Sequence, residues 1–194
     1  MKLTIFVGDL CDVPAEALCT STNPRLSLAM GTGGSVRSRG GFAILRACEA
    51  IVGAEFHRTG KTHLPAGSAW LTTAGDLPAK AIIHCVASDA RHHSSAEIVR
   101  TCVANALLRA AEANCRSVAF PVFATGHARL RFDQTLRVIV QELRDATLDH
   151  AWIVINDPDR IEETTHAVRE GFPGEPVVDM SAYQDERSSW FGEE

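Results

Sequence analysis

Short apolar segments recur along the chain and predict the strands of a sheet. Most of these segments are continuous rather than alternating, as expected for strands that are buried on both faces. They cover residues 3–7, 17–20, 69–73, 81–87, 118–123 and 151–155. This pattern is typical of a sheet that is covered by helices on both sides.

Apolar positions with helical spacing lie between the predicted strands. A capping box at residues 94–97 predicts the start of one helix, and Asp133 is the predicted N-cap of another. Asp157 and Pro158 suit the N-cap and first position of a further helix. Three apolar stripes mark the buried helix faces: Ile44, Leu45, Cys48, Ile51 and Val52; Val99, Cys102, Val103, Ala106, Leu107 and Ala110; Leu136, Ile139, Val140 and Leu143. Strands that alternate with such helices predict an α/β fold.

The length of 194 residues predicts a single domain. Residues 1–171 carry the alternating pattern. Residues 172–194 contain Pro, Gly, Ser and acidic residues, which predict an extended or partly ordered acidic tail. A hydrophobic content of 45% with 22% charged residues excludes a disordered chain, a collagen-like chain and a small disulfide-rich scaffold.

The net charge of -5 is unevenly distributed along the chain. Residues 157–194 carry 11 acids and 3 bases, whereas residues 1–156 carry 13 acids and 16 bases. Residues 17–48 contain four arginines and no acid. Because duplex DNA binding needs clustered Lys and Arg, the composition predicts no duplex DNA partner, but a small anionic ligand is compatible with it.

The cysteines predict a reducing environment. None of the six forms a CxxC pair and several lie inside apolar segments, which is typical of buried free thiols. The N-terminal apolar segment is too short for a signal peptide, and no stretch is long enough to span a bilayer. We therefore expect a cytoplasmic protein without a membrane partner.

Small and polar residues follow the predicted strands. In α/β sheets, ligands bind beyond the carboxyl ends of the strands, so these residues are the first candidates for a site. They are Gly8-Asp9-Leu10, Ser21-Thr22-Asn23-Pro24, Ser88-Asp89, Ala124-Thr125-Gly126-His127-Ala128 and Asn156-Asp157. The distribution predicts a binding site at one edge of the sheet.

A glycine-rich segment, Gly31-Thr32-Gly33-Gly34-Ser35-Val36, is the strongest local feature. A glycine-rich turn that leads into a helix exposes several backbone N–H groups, and such an arrangement binds phosphate. The alternative is a flexible surface loop. A second glycine-containing loop at residues 124–128 follows another strand, and two such loops facing one another could hold a diphosphate.

Established nucleotide and metal motifs do not match. There is no GxxxxGK[ST] sequence, and the GxGxx segment lacks the acidic residue that would bind a nicotinamide ribose. His92-His93 has no matching cysteines or acids, so a solvent-exposed turn is favoured over a zinc site. His84 and Cys85 are adjacent on a strand and point to opposite faces, which favours a core role. We expect neither a metal nor a cofactor.

The order of these segments resembles the macrodomain family. Residues 8–10, 20–24 and 31–36 look like the opening of a macrodomain, and residues 77–85 with Gly40-Gly41 are similar to the macro domain of the macro-type variant histone. Residues 126–133 resemble macrodomains that remove ADP-ribose from glutamate or from DNA. The resemblance extends from residue 3 to residue 168. It implies a three-layer α/β/α sandwich with a mixed, mostly parallel central sheet.

The resemblance also implies an ADP-ribose cleft. Asp9 would accept a hydrogen bond from the adenine amino group, Asn23 would lie near the distal ribose, and Asn156 would line the adenine end. Phe132 or Phe123 would pack beside a ribose or the adenine. The ligand-binding residues implied are Asp9, Leu10, Asn23, Gly33, Gly34, Ser35, Val36, Thr125, Gly126, His127, Ala128, Phe132 and Asn156, with backbone amides of 33–36 and 125–128 on the diphosphate. The partner would be ADP-ribose or an ADP-ribosylated macromolecule.

The catalytic residues of hydrolytic macrodomains are incomplete in this sequence. One class pairs the Asn with an Asp after the glycine segment, where this chain has Arg37. Another uses a Lys and an Asp, where it has Ser88 and Ala128. The sequence therefore favours an ADP-ribose binder over an ADP-ribosyl hydrolase acting on protein, nucleic acid or O-acetyl-ADP-ribose. A nucleotide- or RNA-binding module is a third alternative. Asn23 and His127 are the candidate catalytic residues, and the oligomeric state stays open.

Overall fold

The computed structural model describes residues 1–126 and 128–183. The strands in this part of the chain are β1 (Lys2–Val7), β2 (Ala17–Thr22), β3 (Ala69–Thr73), β4 (Ala81–Val86), β5 (Ser117–Pro121), β6 (His150–Ile155) and β7 (Val177–Asp179). The α-helices are α1 (Gly31–Gly40), α2 (Phe42–Thr59), α3 (Ala96–Glu112), α4 (Phe132–Arg144) and α5 (Ile161–Gly171). Two 3₁₀ turns cover Leu10–Asp12 and Pro158–Arg160. The strands predicted from the apolar segments are all present.

The strands form one sheet in the order β3-β4-β2-β5-β6-β1-β7. Only the β3–β4 pair is antiparallel among the described strands, so the expected mixed, mostly parallel sheet is confirmed. In the register of β2 and β4, Ala17 lies beside Ala81 and Thr22 beside Val86. Because the strands are parallel, the loops that follow β4, β2, β5, β6 and β1 all emerge at one edge.

Two hydrophobic clusters fill the space above and below the sheet. Successive strand residues point to opposite faces, so Ile5 joins one cluster and Phe6 the other. The Ile5 cluster includes buried residues of α3, α4 and α5, and the Phe6 cluster includes Val36 of α1 and Ile44 of α2. The helices therefore cover both faces, which confirms the three-layer α/β/α sandwich.

Two of the three predicted caps differ from the observed ones, whereas Asp157 caps the 3₁₀ turn Pro158–Arg160. The N-cap of α3 is Ser95, whose hydroxyl accepts a hydrogen bond from the Ile98 amide at 3.2 Å, so the helix starts one residue later than the capping box predicts. Helix α4 begins after Arg131, which places Asp133 inside the first turn rather than at the N-cap. Asp133 instead pairs with the Arg131 guanidinium at 3.0 Å.

The glycine-rich segment forms helix α1, not a turn that precedes a helix. Glycine is a poor helix former, but packing overrides this preference because Gly33 lies against Leu28 and Val36 is completely buried. Gly41, with φ of 78°, ends α1 and redirects the chain into α2. A side chain is rarely tolerated at such a φ, so glycine is required at this junction.

The predicted tail contributes a strand to the sheet. Val177–Asp179 lies parallel to β1, with Val177 beside Thr4 and Asp179 beside Phe6. The terminal residues 184–194, which include Trp190, lie outside the described residues. All six cysteines are buried and unpaired, as the sequence predicts. Within residues 1–126 and 128–183, no helix is both long and apolar enough to cross a bilayer.

Candidate ligand-binding cleft

A cleft of about 1060 Å³ runs along the edge where the parallel strands end. Its walls contain residues that follow β4, β2, β5, β6 and β1, which are neighbours in the sheet. At the usual strand spacing, the cleft crosses about 19 Å of sheet. The cleft is at the upper end of the size range for small-molecule sites, and its shape suits an elongated ligand.

Asp9 marks the β1 end of the cleft. One carboxylate oxygen accepts the Cys11 amide at 2.7 Å, and the other accepts the Ser35 hydroxyl at 2.5 Å. Arg39 approaches the same carboxylate at 3.5 Å. Although partial burial raises the pKa of Asp9, the hydrogen bonds from Ser35 and Cys11 outweigh it and hold that pKa below its usual value. Asp9 is therefore ionised at neutral pH and can only accept hydrogen bonds from a ligand.

Leu10, Asn156 and Asp157 also line this end. Leu10 is buried beneath Asp9, whereas Asn156 and Asp157 are exposed after β6. The pairing of Val7 with Ile155 in the register of β1 and β6 explains why the residues that follow the two strands meet. This end combines a fixed carboxylate with an amide side chain and an apolar floor.

The N-terminus of α1 borders the middle of the cleft. Met30 is the N-cap and supplies no side-chain hydrogen bond, and the first turn contains no acid. Met30, Gly31 and Thr32 line the cleft. Because the first amides of a helix have no partner within the helix, this end is suited to an anion.

The amides proposed from the resemblance lie deeper in the helix. Gly34 donates its N–H to the Met30 carbonyl at 3.1 Å, so this group is already used. In the described part of the chain, Gly33, Gly34, Ser35 and Val36 do not line the cleft. Because the helix starts at Gly31, the amides without a partner inside the helix begin two residues before Gly33, the first residue implied by the resemblance. The Ser35 side chain contributes indirectly, since it holds Asp9.

Asn23 forms the wall that follows β2. Its side-chain oxygen accepts the amides of Arg25 at 3.0 Å and Ser27 at 3.3 Å. In this turn Leu26 has φ of 52°, which is uncommon for a residue with a side chain. Because the oxygen is used in the turn, the Nδ2 amide is the group that Asn23 can offer to a ligand.

The loop after β5 also borders the middle of the cleft. Ala124 has φ of 58°, and its amide donates to the Ser21 hydroxyl at 3.3 Å. Thr125, Gly126 and Ala128 line the cleft, whereas His127 lies outside the described residues. Within those residues, the amides of Thr125 and Gly126 have no hydrogen-bond partner. A non-glycine residue in this conformation is strained, and such strain is common at functional sites.

An aromatic side chain forms part of the outer wall. Phe132, the first residue of α4, is half-buried and lines the cleft. The Arg160 guanidinium lies 4.3 Å from the centre of its ring, which is a cation–π distance, and also pairs with Glu163 at 2.8 Å. Phe123 is completely buried in the core. Of the two phenylalanines considered from the sequence, Phe132 is the one in the cleft.

Ser88 and His92 form the β4 end of the cleft. Ser88 is buried, whereas His92 is exposed and has φ of 63°. The sequence interpretation of His92-His93 as a solvent-exposed turn is correct for both residues, but it does not reveal that His92 lines the cleft. The Asx-type spacing from Asp89 to His93 is the signal that predicts the turn, but it does not reveal which histidine faces the cleft.

A family model for the Macro domain matches residues 19–139. A macro domain-containing protein of Streptomyces nogalater is 33% identical over 73% of this chain and 77% of its own length. The chain belongs to the Macro domain family. The O-acetyl-ADP-ribose deacetylase of Salmonella typhimurium is 32% identical to this macrodomain, over 74% of this chain and 78% of the relative.

The fold of this macrodomain is also that of a solved structure. A mutant of the Oceanobacillus iheyensis macrodomain with ADPR superposes with a TM-score of 0.78, and the match covers 87% of this chain and 92% of the other. The sequence identity is 22%, so this likeness shows the shared fold alone.

The remaining chemistry-bearing residues of the macrodomain, His84 and Arg37, do not line the cleft in the described part of the chain. His84 is completely buried, with Nδ1 3.0 Å from the Thr20 hydroxyl and Nε2 2.8 Å from the Thr72 hydroxyl. Burial lowers the pKa of His84 to about 4. Arg37 is exposed. No cluster of three metal-ligating side chains occurs within residues 1–126 and 128–183.

Proposed function

We propose that this macrodomain binds ADP-ribose, free or attached to a macromolecule, along the full length of the cleft. The observation that carries the proposal is the order of the groups across the sheet: a carboxylate at the β1 end, two sets of open amides in the middle and Asn23 toward the β4 end. ADP-ribose has an amine-bearing base, a diphosphate and a terminal ribose in the same order. The O-acetyl-ADP-ribose deacetylase relatives and the ADPR-bound structural neighbour support this assignment.

The adenine is assigned to the β1 end. Ionised Asp9 accepts a hydrogen bond from the exocyclic amine, and the Ser35 and Cys11 contacts fix the direction of its carboxylate. Leu10 supplies an apolar surface beneath the base, and Asn156 lies at its edge. Phe132 contributes a ring face to the same end of the site.

The diphosphate is assigned to the middle of the cleft. The amides of Gly31 and Thr32 approach from α1, and those of Thr125 and Gly126 approach from the facing loop. Backbone amides at a helix N-terminus bind phosphate without requiring a lysine. The absence of acids in residues 17–48 leaves this side of the cleft without a repelling charge. We assign the backbone amides of His127 and Ala128 to the same diphosphate.

The distal ribose is assigned to the region between β2 and β4. The Asn23 Nδ2 amide can donate to a ribose hydroxyl because its oxygen is occupied by the turn. Ser88 lies on the neighbouring strand end and completes this pocket. A cytoplasmic location belongs to the same proposal, and the six buried free thiols support a reducing compartment.

Hydrolysis of a group attached to the distal ribose is the second candidate function. The specific observation in its favour is the identity of 32% to O-acetyl-ADP-ribose deacetylases. The positions that carry an acid or a lysine in two hydrolytic classes hold Arg37, Ser88 and Ala128 in this chain. Any hydrolysis would therefore proceed without those acids and that lysine.

Calorimetric titration with ADP-ribose, ADP and AMP tests the binding proposal. We expect ADP-ribose to bind more tightly than AMP, because AMP leaves the diphosphate and distal ribose positions unfilled. Replacing Asp9 by Ala should weaken ADP-ribose binding by about tenfold or more, which corresponds to about 1.4 kcal/mol. Asp12→Ala is the matched control, since Asp12 pairs with the same Arg39 but does not line the cleft in the described residues. No binding of ADP-ribose at millimolar concentration would show that the proposal is wrong.

A further inference from the structure

The β4 end of the cleft carries one side chain, His92, that the assigned ADP-ribose contacts do not use. The Ala87 amide donates to the Thr22 carbonyl at 3.0 Å, which continues the β2–β4 register beyond the last paired residues. This register places Ala87 beside Asn23, and Ser88 follows one residue beyond it. Asn23 and Ser88 both line the cleft together with His92. This places a hydroxyl, an amide and an imidazole at the end assigned to the distal ribose.

Asp89 fixes the turn that presents His92. One of its carboxylate oxygens accepts the amides of Arg91 and His93, both at 2.8 Å. Its own amide donates to the His93 carbonyl at 2.8 Å. The His93 ring remains on the Asp89 side, with Nδ1 3.7 Å from the carboxylate. All of these contacts within the turn are made by Asp89. The residue with a positive φ is His92, which lines the cleft.

The other titratable groups of the cleft are poorly placed for chemistry at this end. Asp9 and Asp157 line the opposite end, after β1 and β6. Arg131 and Arg160 also line the cleft, but a guanidinium does not accept a proton near neutral pH. Within the described residues, His92 is the base that faces the distal end. An imidazole can act both as a general base and as a general acid.

We infer that His92 is a catalytic residue for hydrolysis of an ester on the distal ribose. This inference rests on the proposed binding of ADP-ribose in the cleft. An imidazole nitrogen of His92 removes a proton from water, and the water oxygen forms a bond to the acyl carbon. The bond between the acyl carbon and the ribose oxygen then breaks, and the imidazolium returns the proton to that oxygen. The products are a carboxylate, with one proton released to solvent, and unmodified ADP-ribose.

Asn23 supports the same step from the neighbouring strand end. Negative charge develops on the acyl oxygen when water attacks, and a fixed donor stabilises that charge. The Asn23 Nδ2 amide is such a donor because its oxygen is held by the Arg25 and Ser27 amides. The pair of His92 and Asn23 thus offers a base and an oxyanion donor without an acid in α1.

The test compares His92→Asn with His93→Asn in the full-length protein. The substrate is O-acetyl-ADP-ribose, acetate release is measured at saturation, and ADP-ribose affinity is measured in parallel by calorimetry. We expect His92→Asn to lower kcat by about 100-fold, within the range for loss of a general base, while ADP-ribose affinity changes by less than about twofold. His93→Asn should retain the wild-type kcat, since His93 is on the same turn but does not line the cleft in the described residues.

The outcomes that overturn the inference are separable from failure of the binding proposal. If His92→Asn keeps the wild-type kcat, or changes only KM, His92 is not the base. If the wild-type protein binds ADP-ribose but releases no acetate, the hydrolytic role is wrong and the binding proposal stands. If the wild-type protein does not bind ADP-ribose, both proposals fall together.

Discussion

At the scale of single residues, contacts outside the cleft decide what the cleft side chains can do. Ser35 is an example, because the resemblance assigns its amide to phosphate whereas its hydroxyl binds Asp9 at 2.5 Å. Asn23 is another, since its oxygen is used in a turn and its nitrogen is available. Neither assignment can be predicted from residue type alone. Strand ends predict which residues gather at a site, but not which atom of each residue faces the ligand.

His84 carries a prediction that concerns folding rather than binding. Its pKa is lowered to about 4 by burial, below the ordinary value of 6.5. Between these values the unfolded chain binds more protons than the folded one, so stability rises with pH from about 4 to 6.5 and is lost as the pH falls through this window. The loss attributable to this one group is about 3 kcal/mol.

Urea denaturation at pH values from 4 to 7 checks this effect. We expect His84→Gln to give a flatter dependence of unfolding free energy on pH than the wild-type protein. Burial also lowers the pKa of the partly exposed His150 to about 4, so the difference between the two proteins isolates His84. An equal slope in both proteins would contradict the assignment of a buried neutral imidazole.

At the scale of elements, the site depends on where α1 begins. The sequence predicts an anion-binding glycine segment here, but places it in a turn because glycine disfavours helices. The close packing of Gly33 on Leu28, which sequence spacing cannot show, allows the helix to begin at Gly31. The predicted and observed strands agree closely, because burial on both faces leaves continuous apolar segments. The short edge strand β7 is missed, since Val177–Asp179 is brief, partly exposed and surrounded by polar residues.

A carboxylate in the first turn of α1 should separate stability from binding. Thr32→Asp places a negative charge at the N-terminal amides, which stabilises the helix by about 0.3–1 kcal/mol through its dipole. The same charge repels the diphosphate, so ADP-ribose affinity should fall at least about tenfold. Thermal denaturation and calorimetry measure the two effects. Ser38→Asp, near the other end of α1, is the control and should leave the affinity unchanged; an unchanged affinity in Thr32→Asp would contradict the phosphate assignment.

At the scale of the whole molecule, the uneven distribution of charge along the chain is compatible with an anionic ligand. The acidic residues after position 157 dominate the net charge of -5, whereas the residues around the N-terminus of α1 include no acid. Backbone amides can therefore hold one diphosphate in a protein that is acidic as a whole. The parallel topology gathers loops from five neighbouring strands at one edge, so segments far apart in sequence form a continuous cleft. The order of the segments in the sequence predicts this edge of the sheet. The position of His92 in the cleft wall becomes visible only in the structure.

The crystal structure of the protein with ADP-ribose is the measurement that tests the central claim most directly. We expect the adenine amine within about 3.2 Å of the Asp9 carboxylate, and the diphosphate oxygens within the same distance of amides in the first turn of α1 and at Thr125 or Gly126. The distal ribose should lie between Asn23 and the turn that carries His92. A ligand bound in the reverse direction, or outside the cleft at saturating concentration, would contradict the account.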